Sequence, residues 1–136
     1  MESETYNLKL ELRIDWNDLD MYKHVNNISF MRYMQSGRVN FWEASGIYEM
    51  YENTNMGTML VSTHCDFKKS LYYPGKAIVK TRIDFIKNSS FGLKHLILND
   101  INEVCAEGKD VVVCYDFEKD NTFRIPEDLR TQLSKF

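Results

Sequence analysis

The chain has 136 residues, of which 43% are hydrophobic and 27% charged, a balance typical of one globular domain and not of a disordered chain. Its formal net charge of -3 weighs against nucleic acid as the main partner, because proteins that bind duplexes usually carry a basic excess. No uncharged apolar stretch approaches the roughly 18 residues of a membrane span, and the first residues contain no apolar segment of signal-peptide length. We therefore expect a cytoplasmic protein that binds no membrane.

The first half of the chain changes from a strand pattern to a helix pattern. Apolar and polar residues alternate from Tyr6 to Ile14, which predicts a half-buried strand. The segment WNDLDMYKHVNN, residues 16–27, lacks that period and is predicted to be a loop. Apolar residues three or four apart then predict a helix from Asn27 to Ser45, with Asn26 or Asn27 as its N-cap and Gly46 just after its end.

The second half is predicted to be mostly strand. After another helical turn at 47–53, alternation predicts strands at 59–67, 77–85 and 91–97, separated by turns at 72–75, 87–90 and 99–102. Two further strands, at 104–106 and 111–117, are predicted on either side of a break at Gly108. Pro126 suits the first residue of a C-terminal helix, PEDLRTQL.

This order of elements predicts an α+β fold with one domain over residues 1–136. A helix of about 19 residues is about 28 Å long and can cover one face of a curled antiparallel sheet of about five strands. The other face also shows apolar alternation, so we expect a second subunit to cover it, in a homodimer or homotetramer.

The three cysteines are predicted to be structural. Cys65, Cys105 and Cys114 have no C-x-x-C spacing, which weighs against zinc and thioredoxin-type chemistry. Each lies in an apolar alternating segment. We expect three reduced, buried thiols and no metal site.

The loop before the helix carries the most specific motif, D-x-D-x-x-x-H-V-N-N, from Asp18 to Asn27. Further segments that carry the same likeness are WEASGI, LVSTHCDFKKSLYYPGKAIVKTRI, KNSSFGLKH and IPEDLRTQL. Together they resemble the hotdog-fold acyl-CoA thioesterases, in particular the 4-hydroxybenzoyl-CoA thioesterase family, over nearly the whole chain. The resemblance implies a single hotdog domain, in which a curved sheet wraps a long central helix, and an acyl-CoA substrate. It implies no metal or organic cofactor, since coenzyme A is part of the substrate.

The resemblance also implies a role for each half of the motif. The second aspartate of D-x-D is catalytic in that family, which makes Asp20 the general base or nucleophile. Backbone N–H groups near Asn26 and Asn27 would hold the thioester oxygen, because a helix N-terminus favours negative charge. On the motif alone, a loop or capping role for Asp20 is as well supported as catalysis, and the likeness over the whole chain favours catalysis.

The same resemblance implies supporting roles for other residues of the loop. Asp18 is expected to shape the loop. His24 has three open roles: it polarises the carbonyl, bonds to Asp20, or packs behind the helix start. The family often has Gly directly before this histidine, where this chain has Lys23.

Substrate-binding candidates lie farther along the chain. Family members bring polar groups across the dimer interface from the strand that here carries Ser62, Thr63 and His64. The turn of Lys87, Asn88, Ser89 and Ser90 corresponds to a region near the nucleotide end of coenzyme A, and a solvated hairpin turn is its alternative. His95 alternates with apolar residues and is expected to pack in its strand. The aromatic and Met-rich helix face is mainly core, and part of it is a candidate lining for an acyl tunnel.

Three rival functions follow from the same sequence. A hotdog dehydratase commonly uses a His together with an acid on the helix, but Glu43 is the only acid in this helix and no His lies on it. Acyl-carrier-protein thioesterases share the DLD…HVNN run, but have Asn where this chain has Tyr22 and join two repeats in one chain. The third rival is a non-catalytic module that binds acyl thioesters.

Overall fold

The computed structural model describes residues 5–136, so residues 1–4 of the predicted domain lie outside the description. A short 3-10 helix, Trp16–Asp18, precedes the first α-helix. The remaining elements in chain order are β1 (Leu8–Arg13), α1 (Asn27–Ser45), α2 (Ile47–Thr54), β2 (Met56–Phe67), β3 (Lys76–Ile86), β4 (Ser90–Leu98), β5 (Val104–Asp116), β6 (Asn121–Thr122) and α3 (Glu127–Leu133).

The described strands form one antiparallel sheet in the order β1-β3-β4-β5-β2, with β6 paired to β5. The predicted α+β fold with about five strands is confirmed. The two residue pairs of β6 were not predicted, because so short a strand has no detectable period. Strand β2 is the last in this order, so it is an edge strand, and its free side is open to a further partner.

Helix α1 has the predicted bounds and lies across β1, β3 and β4. The Asn26 side chain caps it by accepting the Ser29 N–H at 2.8 Å, and Gly46 ends it in the left-handed conformation at φ 85°. Its buried face contains Phe30, Tyr33, Met34, Gly37 and Phe41. These positions repeat at helical spacing, so one stripe of α1 meets the sheet.

Two buried clusters fill the space between α1 and the sheet. The cluster nearer the start of α1 centres on Met34, Val79 and Ile97. The cluster nearer its end centres on Phe41 and Phe91, and Leu129 and Leu133 of α3 close it. The face of the sheet away from α1 carries charged residues, among them Lys80, Arg82, Lys94 and Lys109.

The prediction that the face of the sheet away from α1 is apolar is therefore wrong. That apolar face was the reason for expecting a second subunit there. Charged side chains alternate with the inward apolar ones, as half-exposed sheets require. A row of exposed apolar side chains lies instead along the edge strand β2: Met59, Leu60, Val61 and Phe67.

Several predicted boundaries and one break are corrected by the structure. Strand β1 starts at Leu8 instead of Tyr6, and Pro126 is the N-cap of α3, not its first residue. Gly108 does not break β5, because the strand continues past it and uses the missing side chain to admit Met34. Cys65 is only partly buried, whereas Cys105 and Cys114 are buried as expected.

The closest approach of α1 to the sheet occurs at Gly37. A Cβ there would lie 2.8 Å from Val79 Cγ1, 3.1 Å from Thr81 Oγ1 and 3.3 Å from His95 Nδ1. Val and Thr are stiff at χ1, so these neighbours give way poorly. The absence of a side chain at Gly37 thus sets the distance between helix and sheet.

We predict that Gly37→Ala lowers the free energy of unfolding. Alanine gains about 1 kcal/mol of helix propensity, but overpacking costs about 1 to 3 kcal/mol, and the clash with Val79 places this site at the upper end. Urea denaturation measures the difference. Gln35→Ala, on the exposed side of α1, is the control and should change stability by less than about 0.5 kcal/mol. A Gly37→Ala protein more stable than wild type would contradict the close-approach argument.

Candidate active site

An open cavity of about 430 Å³ lies where the loop before α1, the first turn of α1 and the end of β2 meet. Its walls are formed by Asp20, His24, Val25, Asn26, Asn27, Phe30, Phe67, Lys68, Lys69 and Ser70. Four of the residues predicted from the motif therefore share one cavity: Asp20, His24, Asn26 and Asn27. This places a carboxylate beside a helix N-terminus.

The Asp20 carboxylate is fixed by its own loop. Its Oδ1 accepts backbone N–H groups from Tyr22 at 2.8 Å and from His24 at 3.2 Å. Its backbone N–H donates to the His24 carbonyl at 2.8 Å, which closes the loop. Among residues 5–136, no hydrogen bond uses Oδ2, and the side chain is exposed. One carboxylate oxygen thus holds the loop, and the other is free to bind water.

Lys23 lies at the tightest point of this loop and adopts the left-handed conformation, with φ 67°. Its N–H donates to the Asp20 carbonyl at 3.0 Å, which makes the turn. Glycine takes this conformation without steric cost, whereas other residues are disfavoured there. The turn therefore suits the Gly that the resemblance implies at this position, and Lys23 supports the same turn.

Asp18 anchors the loop from beneath and is buried, as its predicted structural role requires. Its Oδ2 accepts the Tyr33 hydroxyl at 2.8 Å and the Asp15 N–H at 2.9 Å, and Arg32 donates to Oδ1. Burial alone would raise the pKa of Asp18, but the Asp15 N–H, the Tyr33 hydroxyl and Arg32 outweigh it, so the pKa lies below its ordinary value of 3.8. Burial and the bond to Asp18 raise the pKa of Tyr33.

The backbone of Asp18 ties the same loop to the helix start. Its carbonyl accepts the Asn26 N–H at 2.9 Å and the Ser29 hydroxyl at 3.1 Å. Asn26 in turn accepts the Ser29 N–H as the N-cap, which leaves the N–H groups of Asn27 and Ile28 without a hydrogen bond in the described part of the chain. Unpaired N–H donors at a helix N-terminus suit an oxygen that gains negative charge.

His24 contributes its backbone to the Asp20 loop and its ring to packing. The ring meets Tyr72 edge-on, with centroids 5.2 Å apart, and the two residues form an isolated β-bridge. No described hydrogen bond uses the ring. This geometry favours the packing role among the three that the sequence left open.

The remaining predicted binding residues do not reach this cavity within one chain. Thr63 faces α1 from the middle of β2 and donates to Asp110 at 2.7 Å, whereas His64 faces the opposite side and contacts Asp66. Lys87 and Ser89 lie in the β3–β4 turn, and Ser90 begins β4. Strand β3 begins near the Asp20 loop and ends at that turn, so the two are separated by about 35 Å of strand.

The structure places further residues at or near the site, and His95 is buried in its strand as predicted. Phe67 and Lys68 follow one another at the end of β2 and line the cavity. Lys69 is neutralised by Glu103, whereas Lys68 has no acidic partner among the described residues. Asp110 and His95 form a fully buried pair beneath α1, joined by Arg38. No periodic signal marks Asp110, because three valines follow it and hide which residues of β5 face inward.

A curled antiparallel sheet around one long helix is the hotdog architecture, and here a carboxylate lies beside the helix N-terminus. A family model described as the thioesterase-like superfamily matches residues 14–133, and the chain belongs to this superfamily. Within residues 5–136, no helix is long and apolar enough to cross a membrane.

Three similar proteins illustrate the range of the superfamily. The long-chain acyl-CoA thioesterase FadM of Escherichia coli is 19% identical over 94% of this chain and 98% of its own length. The acyl-acyl carrier protein thioesterase ATL3 of Arabidopsis thaliana is 30% identical over 94% of this chain and 68% of its own. A Thermus thermophilus thioesterase, solved with coenzyme A and Zn, has a TM-score of 0.84 at 21% identity and covers 98% of this chain and 96% of that one. The narrower 4-hydroxybenzoyl-CoA thioesterase family stays a prediction.

We predict that Asp18→Asn destabilises the protein at neutral pH by about 2 to 3 kcal/mol, because it removes hydrogen bonds to a charged, buried acceptor. The folded-state pKa of Asp18 lies below 3.8, so its contribution is present above that pH and is lost as pH falls through the folded value. The gap between wild type and variant should therefore narrow below about pH 4, measured by urea unfolding across pH. Asp84→Asn, at an exposed position of β3, is the control. A gap that does not depend on pH would contradict this assignment.

Proposed function

We propose that the protein hydrolyses an acyl-CoA to the free acid and coenzyme A. The observation that carries this proposal is that Asp20 and Asn27, whose backbone N–H is free at the start of α1, line one cavity. The names of relatives support the substrate class, since the E. coli protein is a long-chain acyl-CoA thioesterase and the Thermus structure holds coenzyme A. The 4-hydroxybenzoyl-CoA thioesterase likeness is part of this proposal.

In the reaction we propose, the thioester carbonyl oxygen accepts hydrogen bonds from the backbone N–H groups of Asn27 and Ile28. Asp20 Oδ2 takes a proton from a water that attacks the carbonyl carbon, and the C–S bond then breaks. The sulfur leaves as a thiolate and receives the proton, so acid and thiol are the products. As a nucleophile, Asp20 would instead form a mixed anhydride that water cleaves. Either route leaves negative charge on the oxygen that the helix N-terminus faces.

The other loop residues have supporting roles in this proposal. Asn26 orients the donors by capping the helix, and His24 holds the Asp20 loop by its backbone bonds and its packing on Tyr72. A carboxylate, water and backbone donors supply each group that hydrolysis needs, so the proposed reaction uses no metal or organic cofactor. Coenzyme A is part of the substrate.

We also propose that two copies pair through β2. This edge strand exposes Met59, Leu60 and Val61, the last by 56%, beside an unpaired backbone edge. A two-fold axis across β2 would continue the sheet and reverse the second copy. That reversal would bring Lys87, Ser89 and Ser90 of the second copy to the end of the assembly that holds Asp20, where a basic turn suits phosphate. A tetramer would need a further interface.

A second candidate function is hydrolysis of an acyl-carrier-protein thioester. The observation in its favour is the Arabidopsis relative, which is 30% identical and is an acyl-acyl carrier protein thioesterase. A non-catalytic acyl-thioester binding module is the third reading. Rates with acyl-CoA and with acyl-carrier-protein substrates of the same chain length separate the three.

We predict that Asp20→Asn lowers kcat on acyl-CoA substrates by at least about 100-fold, because it removes the general base or nucleophile. The amide oxygen still accepts the Tyr22 and His24 N–H groups, so the loop and the stability should be preserved. Free thiol release from a panel of acyl-CoAs measures the rate. Asp20→Ala should be equally inactive, and Asp84→Asn should keep full activity. Full turnover in both Asp20 variants would reject the catalytic assignment.

We predict that Val61→Lys dissociates the dimer, because a buried lysine between paired edge strands is strongly disfavoured. Light scattering should give twice the chain mass of 16.1 kDa for wild type and the chain mass for the variant. Ile101→Lys, in the exposed β4–β5 turn, should leave the dimer intact. A monomeric wild type would show that the β2 edge is not a self-interface.

A further inference from the structure

Helix α1 covers the inner side of the edge strand β2 only in part. It packs on β1, β3 and β4, and the inward side chains Leu60 and Phe67 of β2 are 40% and 52% exposed. We name the space bounded by Phe30 and Arg38 on α1 and by Leu60, Thr63 and Phe67 on β2 the α1–β2 trough. It adjoins the cavity of Asp20 at Phe30 and Phe67, which line that cavity and whose rings meet edge-on with centroids 5.2 Å apart.

A charged cluster lies in the floor of this otherwise apolar trough. Arg38 Nη1 donates to Asp110 Oδ1 and Oδ2 at 3.2 and 3.1 Å, and the Thr63 hydroxyl donates to Oδ1 at 2.7 Å. His95 Nε2 lies 2.6 Å from Oδ2 and donates to it, because an ionised carboxylate can only accept. Thr81 binds the other ring nitrogen at 2.9 Å.

The hydrogen-bonding capacity of the cluster is used unevenly. The Asp110 side chain has no exposed surface, and three side chains already occupy its oxygens. Arg38 keeps 12% of its side chain exposed, and the described hydrogen bonds use only one of its nitrogens, although guanidinium carries five N–H donors. Thr63 has given its proton to Asp110, so its oxygen is left as an acceptor. The trough therefore presents N–H donors beside one hydroxyl acceptor.

We propose that Arg38 and Thr63 form a hydrogen-bonding station for the acyl group, which selects acyl thioesters whose aliphatic chain carries a hydroxyl group remote from the thioester. A hydroxyl can accept from Arg38 and donate to Thr63 at once. A carboxylate could use only the donors and would add a second anion beside Asp110. This inference rests on the acyl-thioester function proposed above.

Two independent lengths fix how remote the hydroxyl is. Arg38 is eleven residues after Asn27 on α1, a rise of about 16 Å. Thr63 is four residues before Phe67 on β2, a length of about 13 Å. Side chains on a helix lean towards its N-terminus, which brings Arg38 closer to the strand estimate. The hydroxyl should therefore lie about 13 to 16 Å from the thioester carbonyl.

The test uses pairs of CoA thioethers of increasing chain length, one member ending in a hydroxyl and the other unsubstituted. These analogues bind without being hydrolysed, and calorimetry gives the Kd of each. We expect wild type to bind the hydroxyl member about tenfold more tightly at the matching chain length only. Arg38→Met should lower this ratio of Kd values to about one. Thr63→Val, which keeps the ion pair of Arg38 with Asp110, should reduce it.

Arg124→Met, which removes an exposed arginine that pairs with Glu127, is the matched control and should keep the wild-type ratio. The ratio is a property of the folded fraction, so a loss of stability in Arg38→Met does not imitate the effect. A wild-type ratio near one at every length, or a ratio unchanged in both variants, would overturn the proposal. Hydrolysis of unsubstituted acyl-CoA with a ratio of one would reject the station alone. A tenfold ratio without turnover of any acyl-CoA would support the station and reject the hydrolase.

Discussion

The Asp18 carboxylate is the interaction on which the candidate site depends. It is buried, and its neighbours Asp15, Arg32 and Tyr33 come from both sides of the loop. A buried carboxylate is stable only when its hydrogen bonds are made, so the segment between them has one low-energy arrangement. The Asp18 carbonyl passes this constraint to the helix start through Asn26. Asp20 is exposed and held by its own loop. That loop has a fixed place beside α1 because the hydrogen bonds of Asp18 fix the loop there.

A second constraint holds the helix against the sheet and has the same character. Gly37 permits the close approach of α1 to the sheet. Beneath the helix, Asp110 accepts hydrogen bonds from side chains of α1, β2 and β4. Burial alone would raise the pKa of Asp110, but His95, Thr63 and Arg38 outweigh it, so the pKa lies below its ordinary range. Removing one partner of such a group is strongly destabilising, whereas the intact group contributes little net stability. The Asp110 group specifies one position of α1 on the sheet, and that position sets the shape of the α1–β2 trough.

The sequence predicted what depends on local pattern. The bounds of α1 follow from helical spacing with a cap and a terminal glycine, and the shared cavity of Asp20 and Asn27 follows from their short separation along the chain. The Asp110 cluster could not be predicted, because three consecutive valines after it hide which residues of β5 face inward. The extent of β5 was missed because glycine usually signals a break, and here its missing side chain admits Met34. Such contacts join residues far apart in sequence, which a periodic pattern does not encode.

The exposure of Asp20 bears on the assembly that we infer. Donors at a helix N-terminus stabilise a developing charge far more strongly where water is excluded, because the local dielectric constant is lower. In a single chain the cavity is open, and its rim at Phe67 is exposed, so one copy does not provide that environment. The rim continues directly into β2, an edge strand that exposes Met59, Leu60 and Val61. One pairing of two copies across β2 would therefore bury the apolar edge and cover the cavity together, which joins the oligomeric state to the chemistry.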